Sequence, residues 1–142
     1  MKIYLAARYS SKKEVCALAK KLEAAGQQIV STWHNPEKES IPYSKVTKQK
    51  MTKEALTDFF DLEKADTIVA CEVFGDKGSR GARHAEFGYG MARDYMLIVY
   101  GDRWHCFHYL PETYIVKTEK ALINLLKKQI TTKSGHWRGV WE

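Results

Sequence analysis

Apolar residues along the chain fall into two alternating patterns: short unbroken runs, and longer stretches in which they recur every three or four positions. The first run, Ile3-Tyr4-Leu5-Ala6, has nothing polar inside it, as expected of a parallel strand covered on both faces. Ser11-Lys12-Lys13-Glu14 then reads as a capping box. It is followed by Val15, Leu18, Ala19, Leu22 and Ala25 at helical spacing, and Gly26 supplies the stop. Residues 28–33 read as a second strand and 34–44, with Pro36 and Pro42, as a loop. Helical spacing returns over 45–64 through Met51, Ala55, Phe59 and Leu62. Residues 66–71 are the most strand-like segment, and a glycine-rich polar stretch, 75–81, follows them. The pattern then predicts a small-residue helix over 82–94, a strand over 95–101, a short strand over 114–116, and a last amphipathic helix over 118–130 capped by Thr118.

Strand and helix alternate throughout, which predicts right-handed crossovers and an α/β fold: a five-stranded parallel sheet with helices on both faces, of the flavodoxin-like or Rossmann-like kind. The 142 residues suit one domain, assigned to 1–133, with 134–142 (SGHWRGVWE) as a tail. Cys16, Cys71 and Cys106 show no zinc or redox spacing, and Cys16 and Cys71 fall in apolar periodic segments, so core thiols in a reducing compartment are expected. The apolar stretch at the start is too short for a signal peptide, and no run reaches membrane-spanning length. The expectation is a cytosolic protein that does not engage a membrane. Lys and Arg (23) outnumber Asp and Glu (17), a net charge of +6 that suits an anionic small substrate as well as a nucleic acid.

In open α/β sheets ligands bind beyond the C-terminal ends of the strands. Those loops are rich in polar groups: Ala7, Arg8, Tyr9 and Ser10 after the first strand, Trp33 and His34 after the second, Ser79, Arg80, Gly81, Arg83 and His84 after the third, and Trp104 and His105 after the fourth. Arg8, Ser10, Ser79, Arg80, Gly81, Arg83 and His84 offer guanidinium forks and backbone N–H groups at a helix start, suited to a 5′-phosphate. Trp33 offers an aromatic face for a base. Glu86 sits near the start of the helix after the glycine loop, where the helix dipole is expected to keep its carboxylate ionised as a nucleophile. No metal is assigned, because no second His or Cys stands at ligand spacing from His84, and no cofactor is assigned.

The string Arg80-Gly81-Ala82-Arg83-His84-Ala85-Glu86-Phe87-Gly88-Tyr89-Gly90-Met91-Ala92 resembles the signature of the nucleoside 2-deoxyribosyltransferase family, in particular its small, phage-type members. Ile3-Tyr4-Leu5-Ala6-Ala7 with Arg8-Tyr9-Ser10, Ser31-Thr32-Trp33, Asp58 eight residues before Asp66, and Phe107-His108-Tyr109-Leu110-Pro111 follow the same order as in that family. The resemblance spans about residues 2 to 116. It implies a five-stranded parallel α/β sheet and cleavage or transfer at the N-glycosidic bond of a nucleoside or its monophosphate. By position it makes Glu86 the nucleophile, Asp58 the acid that serves the leaving base, and Tyr4 the group that orients Glu86. It also implies a free nucleobase as a possible acceptor and assembly as a homo-oligomer, with Tyr89, Met91, Trp104 and the tail as contact residues. Two departures stand out: Gly81-Ala82 replaces a more usual Gly-Thr or Gly-Gly, and Trp104-His105 replaces a short acidic-Asn segment.

Breaking a C–N glycosidic bond builds positive charge on the sugar and negative charge on the base, so an ionised carboxylate and a separate proton donor meet the need whatever the family. Asp61 and Asp66 are rivals for the acid role, Asp66 reading rather as a structural partner at a strand start. A non-catalytic nucleotide-binding or sequestering protein is the alternative, though it has no use for a paired nucleophile and acid. A nucleic-acid binder fits less well, because the lysines scatter over outer helix faces.

Overall fold

The computed structural model describes residues 1–38, 42–77 and 80–129; the tail at 134–142, Ser79 and the end of the last helix at Ile130 lie outside them. Strands β1 (Lys2–Ala6), β2 (Gln28–Ile29), β3 (Thr67–Ala70), β4 (Met96–Tyr100) and β5 (Tyr114–Val116) form one parallel sheet in the order β2-β1-β3-β4-β5. This is the doubly wound order of flavodoxin-like folds, in which the direction of winding reverses between β1 and β3. The three central strands are buried along their length except at Lys2, as their unbroken apolar sequences require. Asp66 fixes the start of the central pair: its Oδ1 accepts from Lys2 N at 2.9 Å while its own N–H donates to Lys2 O at 2.9 Å. The role of this carboxylate is structural.

Helix α1 (Lys12–Ala24) and helix α4 (Glu119–Gln129) are tied by Lys21 and Glu119 at 2.9 Å, whereas α2 (Lys48–Lys64) and α3 (Ala82–Ala92) pack side by side on β1, β3 and β4. Right-handed crossovers put these two pairs on opposite faces of the sheet. α1 does not start with the expected capping box. The Ser11 hydroxyl instead accepts from Arg8 Nε at 2.7 Å, and no side chain caps the helix. Thr47 and Thr118 do cap α2 and α4, each hydroxyl accepting a backbone N–H three residues on. Cys71 is buried, Cys16 half-buried and Cys106 exposed, all free.

The second strand is much shorter than the 28–33 its sequence suggests. After Val30 N–H donates to Ile3 O, side chains take over the edge of β1: Ser31 Oγ accepts from Leu5 N at 3.1 Å and Trp33 Nε1 donates to Leu5 O at 2.8 Å. The main chain is thereby released to turn at Pro36 while no β1 group is left unpaired on that edge at Leu5.

Two glycines mark close approaches. Gly90 lets α3 lie directly on β3, since a Cβ there would overlap Ile68. Gly101, at φ +123°, ends β4 against the backbone of Glu72 and Val73, and a Cβ would overlap the Val73 nitrogen. Backbone cannot yield as a side-chain tip can, so Gly101→Ala is expected to lower stability by about 2 kcal/mol or more in urea unfolding. Gly26→Ala, with open space around its Cβ, should cost only about 1 kcal/mol for its positive φ.

Candidate active site

A cleft opens where the winding reverses, beyond the C-terminal ends of β1 and β3. Ala7 and Tyr9 line it from the loop after β1, Trp33 and Lys38 from the segment after β2, Glu54 and Asp58 from α2, and Ala82 and Glu86 from α3. At about 3.6 residues per helical turn, residues four apart share a face. Glu54 and Asp58 therefore look into the cleft together, as do Ala82 and Glu86.

Tyr4, wholly buried on β1, donates its hydroxyl to Glu86 Oε1 at 3.0 Å. Glu86 Oε2 is buried and meets no donor among the described residues. Burial, with the charge of Asp58 adding to it, pushes the Glu86 carboxyl up to about 8 against the pull of the Tyr4 hydrogen bond and of Arg83. The ionised nucleophile expected from the helix dipole is thus not the resting form near neutral pH. Glu86 is the fifth residue of α3, where the dipole has faded and desolvation decides. Burial also raises Asp58, to about 6, although Lys38 draws it down. Between these values the two carboxyls hold a single proton between them. The Tyr4 hydroxyl is raised by burial and by Glu86, so it remains a donor throughout.

Asp61, the rival acid, has both carboxylate oxygens engaged outside the cleft lining. Its Oδ2 accepts from Thr32 N and Thr32 Oγ1 at 2.9 and 2.6 Å, and its Oδ1 from Lys64 at 3.2 Å. It joins α2 to the turn after β2. Lys38 donates to the same Thr32 hydroxyl at 3.1 Å, so the cation at the cleft is placed by that joint. Trp33, held by Leu5 O, forms a wall with Tyr9, their ring centroids 6.2 Å apart.

The other residues singled out in the sequence separate into two groups. Arg8, besides Ser11, donates to Lys77 O at 3.0 Å and so ties the loop after β1 to the loop after β3. Ser10 and Arg80 are exposed near these loops, and Gly81 is the N-cap of α3. Arg83 is turned away from the cleft: its guanidinium is buried against both Glu72 carboxylate oxygens at 3.1–3.2 Å and against Asp76 at 2.6 Å. Two positions from both Ala82 and Glu86, His84 projects on the opposite flank of α3. There it meets His105, His84 Nδ1 and His105 Nε2 being 3.1 Å apart, with His108 beside them. The spacing argument against a second histidine near His84 therefore fails, because the loop after β4 supplies two. Lys38 and Glu54 escaped the sequence reading. Glu54 was legible as the i, i+4 companion of Asp58, whereas nothing marked Lys38 out within its loop.

No family model matches the chain, and no curated protein matches it. Eight chains of solved structures do, among them the two that follow. One is a CMP N-glycosidase of Clostridium botulinum, BcmB, 18% identical, covering 90% of this chain and 99% of its own with a TM-score of 0.55. The other is a 2-deoxyribosyltransferase of Bacillus psychrosaccharolyticus, 15% identical, covering 87% and 91% with a TM-score of 0.60. The chain has the nucleoside 2-deoxyribosyltransferase-like fold. Both matches cover most of each chain, and the likeness is one of fold. Within the 2-deoxyribosyltransferase-like fold as this chain builds it, no helix of the described residues is long and apolar enough to cross a membrane.

The raised carboxyl has a consequence for stability. An acid whose folded pKa lies above its unfolded one makes the protein less stable as pH climbs from about 4.5 to about 8. Glu86→Gln removes that loss, so its melting temperature is expected to exceed that of wild type by a few degrees at pH 8.5 ± about 0.5. The two should converge near pH 4.5, the ordinary Glu value. Thermal scans across this range check the divergence.

Proposed function

We propose that the protein cleaves or transfers the N-glycosidic bond of a nucleoside or nucleoside 5′-monophosphate through a covalent glycosyl-Glu86 intermediate. The observation that carries this reading is the pair of carboxyls, Glu86 and Asp58, facing one cleft with Tyr4 hydrogen-bonded to the first; burial raises both, to about 8 and about 6. Solved structures of the same fold that are named as a CMP N-glycosidase and a 2-deoxyribosyltransferase support the same class of substrate.

In the proposed reaction the shared proton resides on Asp58 when the sugar lies over Glu86. An oxygen of the Glu86 carboxylate attacks the anomeric carbon. The C–N bond breaks, its electron pair stays on the base nitrogen, and Asp58 protonates the departing base. The positive charge growing on the sugar favours ionised Glu86 at that moment, which offsets the desolvation that keeps it protonated at rest. Water or the ring nitrogen of a second base then attacks the same carbon, giving its proton to Asp58 and freeing Glu86. Tyr4 holds Oε1 in place, so that the unpartnered Oε2 is the oxygen left to attack.

Ala7, Trp33 and Tyr9 form the proposed walls for the nucleoside, with Lys38 beside the leaving base. A 5′-phosphate is assigned to Ser10, Arg80, Arg8 and the N-terminus of α3 at Gly81. Arg83, His84 and His105 are left out of this set, because their side chains lie on the other flank of α3. The proposed protein is a homo-oligomer that requires neither nucleic acid nor membrane.

Incubation with ribo- and deoxyribonucleosides and their monophosphates, with and without a second base, should release or exchange a base. Glu86→Ala should lower the rate by about 10³-fold or more and Asp58→Asn by about 10²- to 10⁴-fold. A Glu86→Ala rate equal to that of wild type overturns the assignment. The pH profile should be bell-shaped with limbs near 6 and 8: below the first both carboxyls are protonated and the nucleophile is lost, above the second both are ionised and the proton donor is lost.

A further inference from the structure

We propose that His84, His105 and His108 form a site for one transition-metal ion of the imidazole-preferring kind, Zn²⁺ or a neighbour of it, on the flank of α3 that faces away from the cleft. One nitrogen of each ring lies within 4.8 Å of the others. His84 comes from the first turn of α3, while His105 and His108 come from the loop after β4 and its short 3₁₀ turn, Cys106–Tyr109. The chain thus brings three ligands from two segments more than twenty residues apart to one point, and nothing in the cleft chemistry requires them there.

Unmet hydrogen bonding supplies the second observation. His105 Nδ1 and His108 Nε2 are both buried with no partner among the described residues, and His108 is wholly buried. His108 Nε2 stands 4.0 Å from Glu72 Oε1, beyond hydrogen-bond reach. A buried polar atom left without a partner is costly, and an ion at His108 Nε2 supplies the partner that this atom lacks. At Zn–N distances of about 2.0–2.1 Å, ligand nitrogens stand roughly 3.3 Å apart around a tetrahedral ion. One pair, His84 Nδ1 and His105 Nε2, is already at 3.1 Å.

Charge is balanced around the imidazoles: Glu72 and Asp76 are both bound to Arg83, and Arg103 donates to His108 O at 3.2 Å, so the nitrogen donors and not a negative field carry the selection. An all-nitrogen donor set without thiolate selects Zn²⁺, Ni²⁺, Co²⁺ or Cu²⁺ over Ca²⁺ or Mg²⁺. Phe87 packs edge-on against His108 and His105, with centroids 4.8 and 6.1 Å away, and limits how far the rings can turn.

Ion capture has two structural costs: the His84–His105 hydrogen bond, which needs a proton on one of its two nitrogens, is given up when both turn their lone pairs to the ion, and a bond to His108 is lost as well. Trp104 N–H donates to His108 Nδ1 at 3.1 Å, which leaves the ring proton on Nε2. A metal taking Nε2 moves that proton to Nδ1 and ends the Trp104 bond. Trp104, half-exposed, therefore reports the event.

The test uses the untagged full-length chain, stripped with a chelator and titrated with Zn²⁺ by calorimetry and with Co²⁺ by visible absorption. One ion per chain is expected, bound at micromolar Kd or tighter, with tetrahedral Co²⁺ bands, altered Trp emission and a raised melting temperature. His84→Ala and His105→Ala, at half-exposed positions that leave the core intact, should each weaken binding at least about tenfold. Cys106→Ser should leave it unchanged, which separates this site from one using the neighbouring thiol. Absence of saturable binding, or binding that survives both histidine changes, overturns the proposal. None of these readouts depends on glycosidic chemistry, so the two readings fail separately.

Discussion

The hydrogen bond between Tyr4 and Glu86 organises the cleft around it. Tyr4 belongs to a central strand and is itself wholly buried, and its hydroxyl reaches α3 where the glycine at position 90 lets that helix sit directly on β3. A carboxyl is thereby held beneath a cleft with water largely excluded, and a second carboxyl on α2 faces it. Two acids brought out of water together cannot both ionise cheaply, and this constraint produces a shared proton without any further device. The same burial that makes Glu86 reluctant to ionise at rest makes it responsive to positive charge arriving from a substrate.

Around that bond the molecule builds a series of polar joints rather than one long apolar seam. Asp61 joins α2 to the turn after β2, Arg8 joins the loops after β1 and β3, and the Arg83–Glu72–Asp76 group braces the beginning of α3 from behind. Each joint fixes a loop that has no regular backbone pairing of its own. The loops carrying the cleft are therefore positioned by side chains, while the strands they leave are positioned by the ladder. Replacement of one partner in the buried Arg83 group strands the other charge, a loss larger than the pair's own net contribution.

Much of the fold was legible because unbroken apolar runs and helical spacing dictate where strands and helices lie. The five strands, the four helices and the cap at Thr118 follow from local pattern, whereas the cap at Thr47, two residues inside the expected start of α2, came from the structure. The shortened β2 was not legible, because its register is given up to two side-chain bonds from Ser31 and Trp33 that no periodicity announces. The capping box at Ser11 failed for a related reason: a hydroxyl has few bonds to offer, and Arg8 takes this one. At the site, Glu86, Asp58 and Tyr4 came from a resemblance and meet at the cleft. Arg83, His84 and His105 look the same in sequence as ligands for an anion, yet helical geometry turns Arg83 and His84 out of the cleft, and His105 meets His84 there from the loop after β4. A one-residue difference along a helix rotates a side chain by about 100°, and a motif read as a string does not carry that rotation.

Trp33 has two duties that cannot be separated. Its ring is a wall of the cleft, and its indole N–H stands in for a missing backbone donor at the edge of β1. Redesigning the cavity for a bulkier guest by trimming this ring would uncover a strand margin at the same time, inviting another chain to pair with it. Any enlargement is better sought along the Glu54 flank, where shape can change without loosening the sheet.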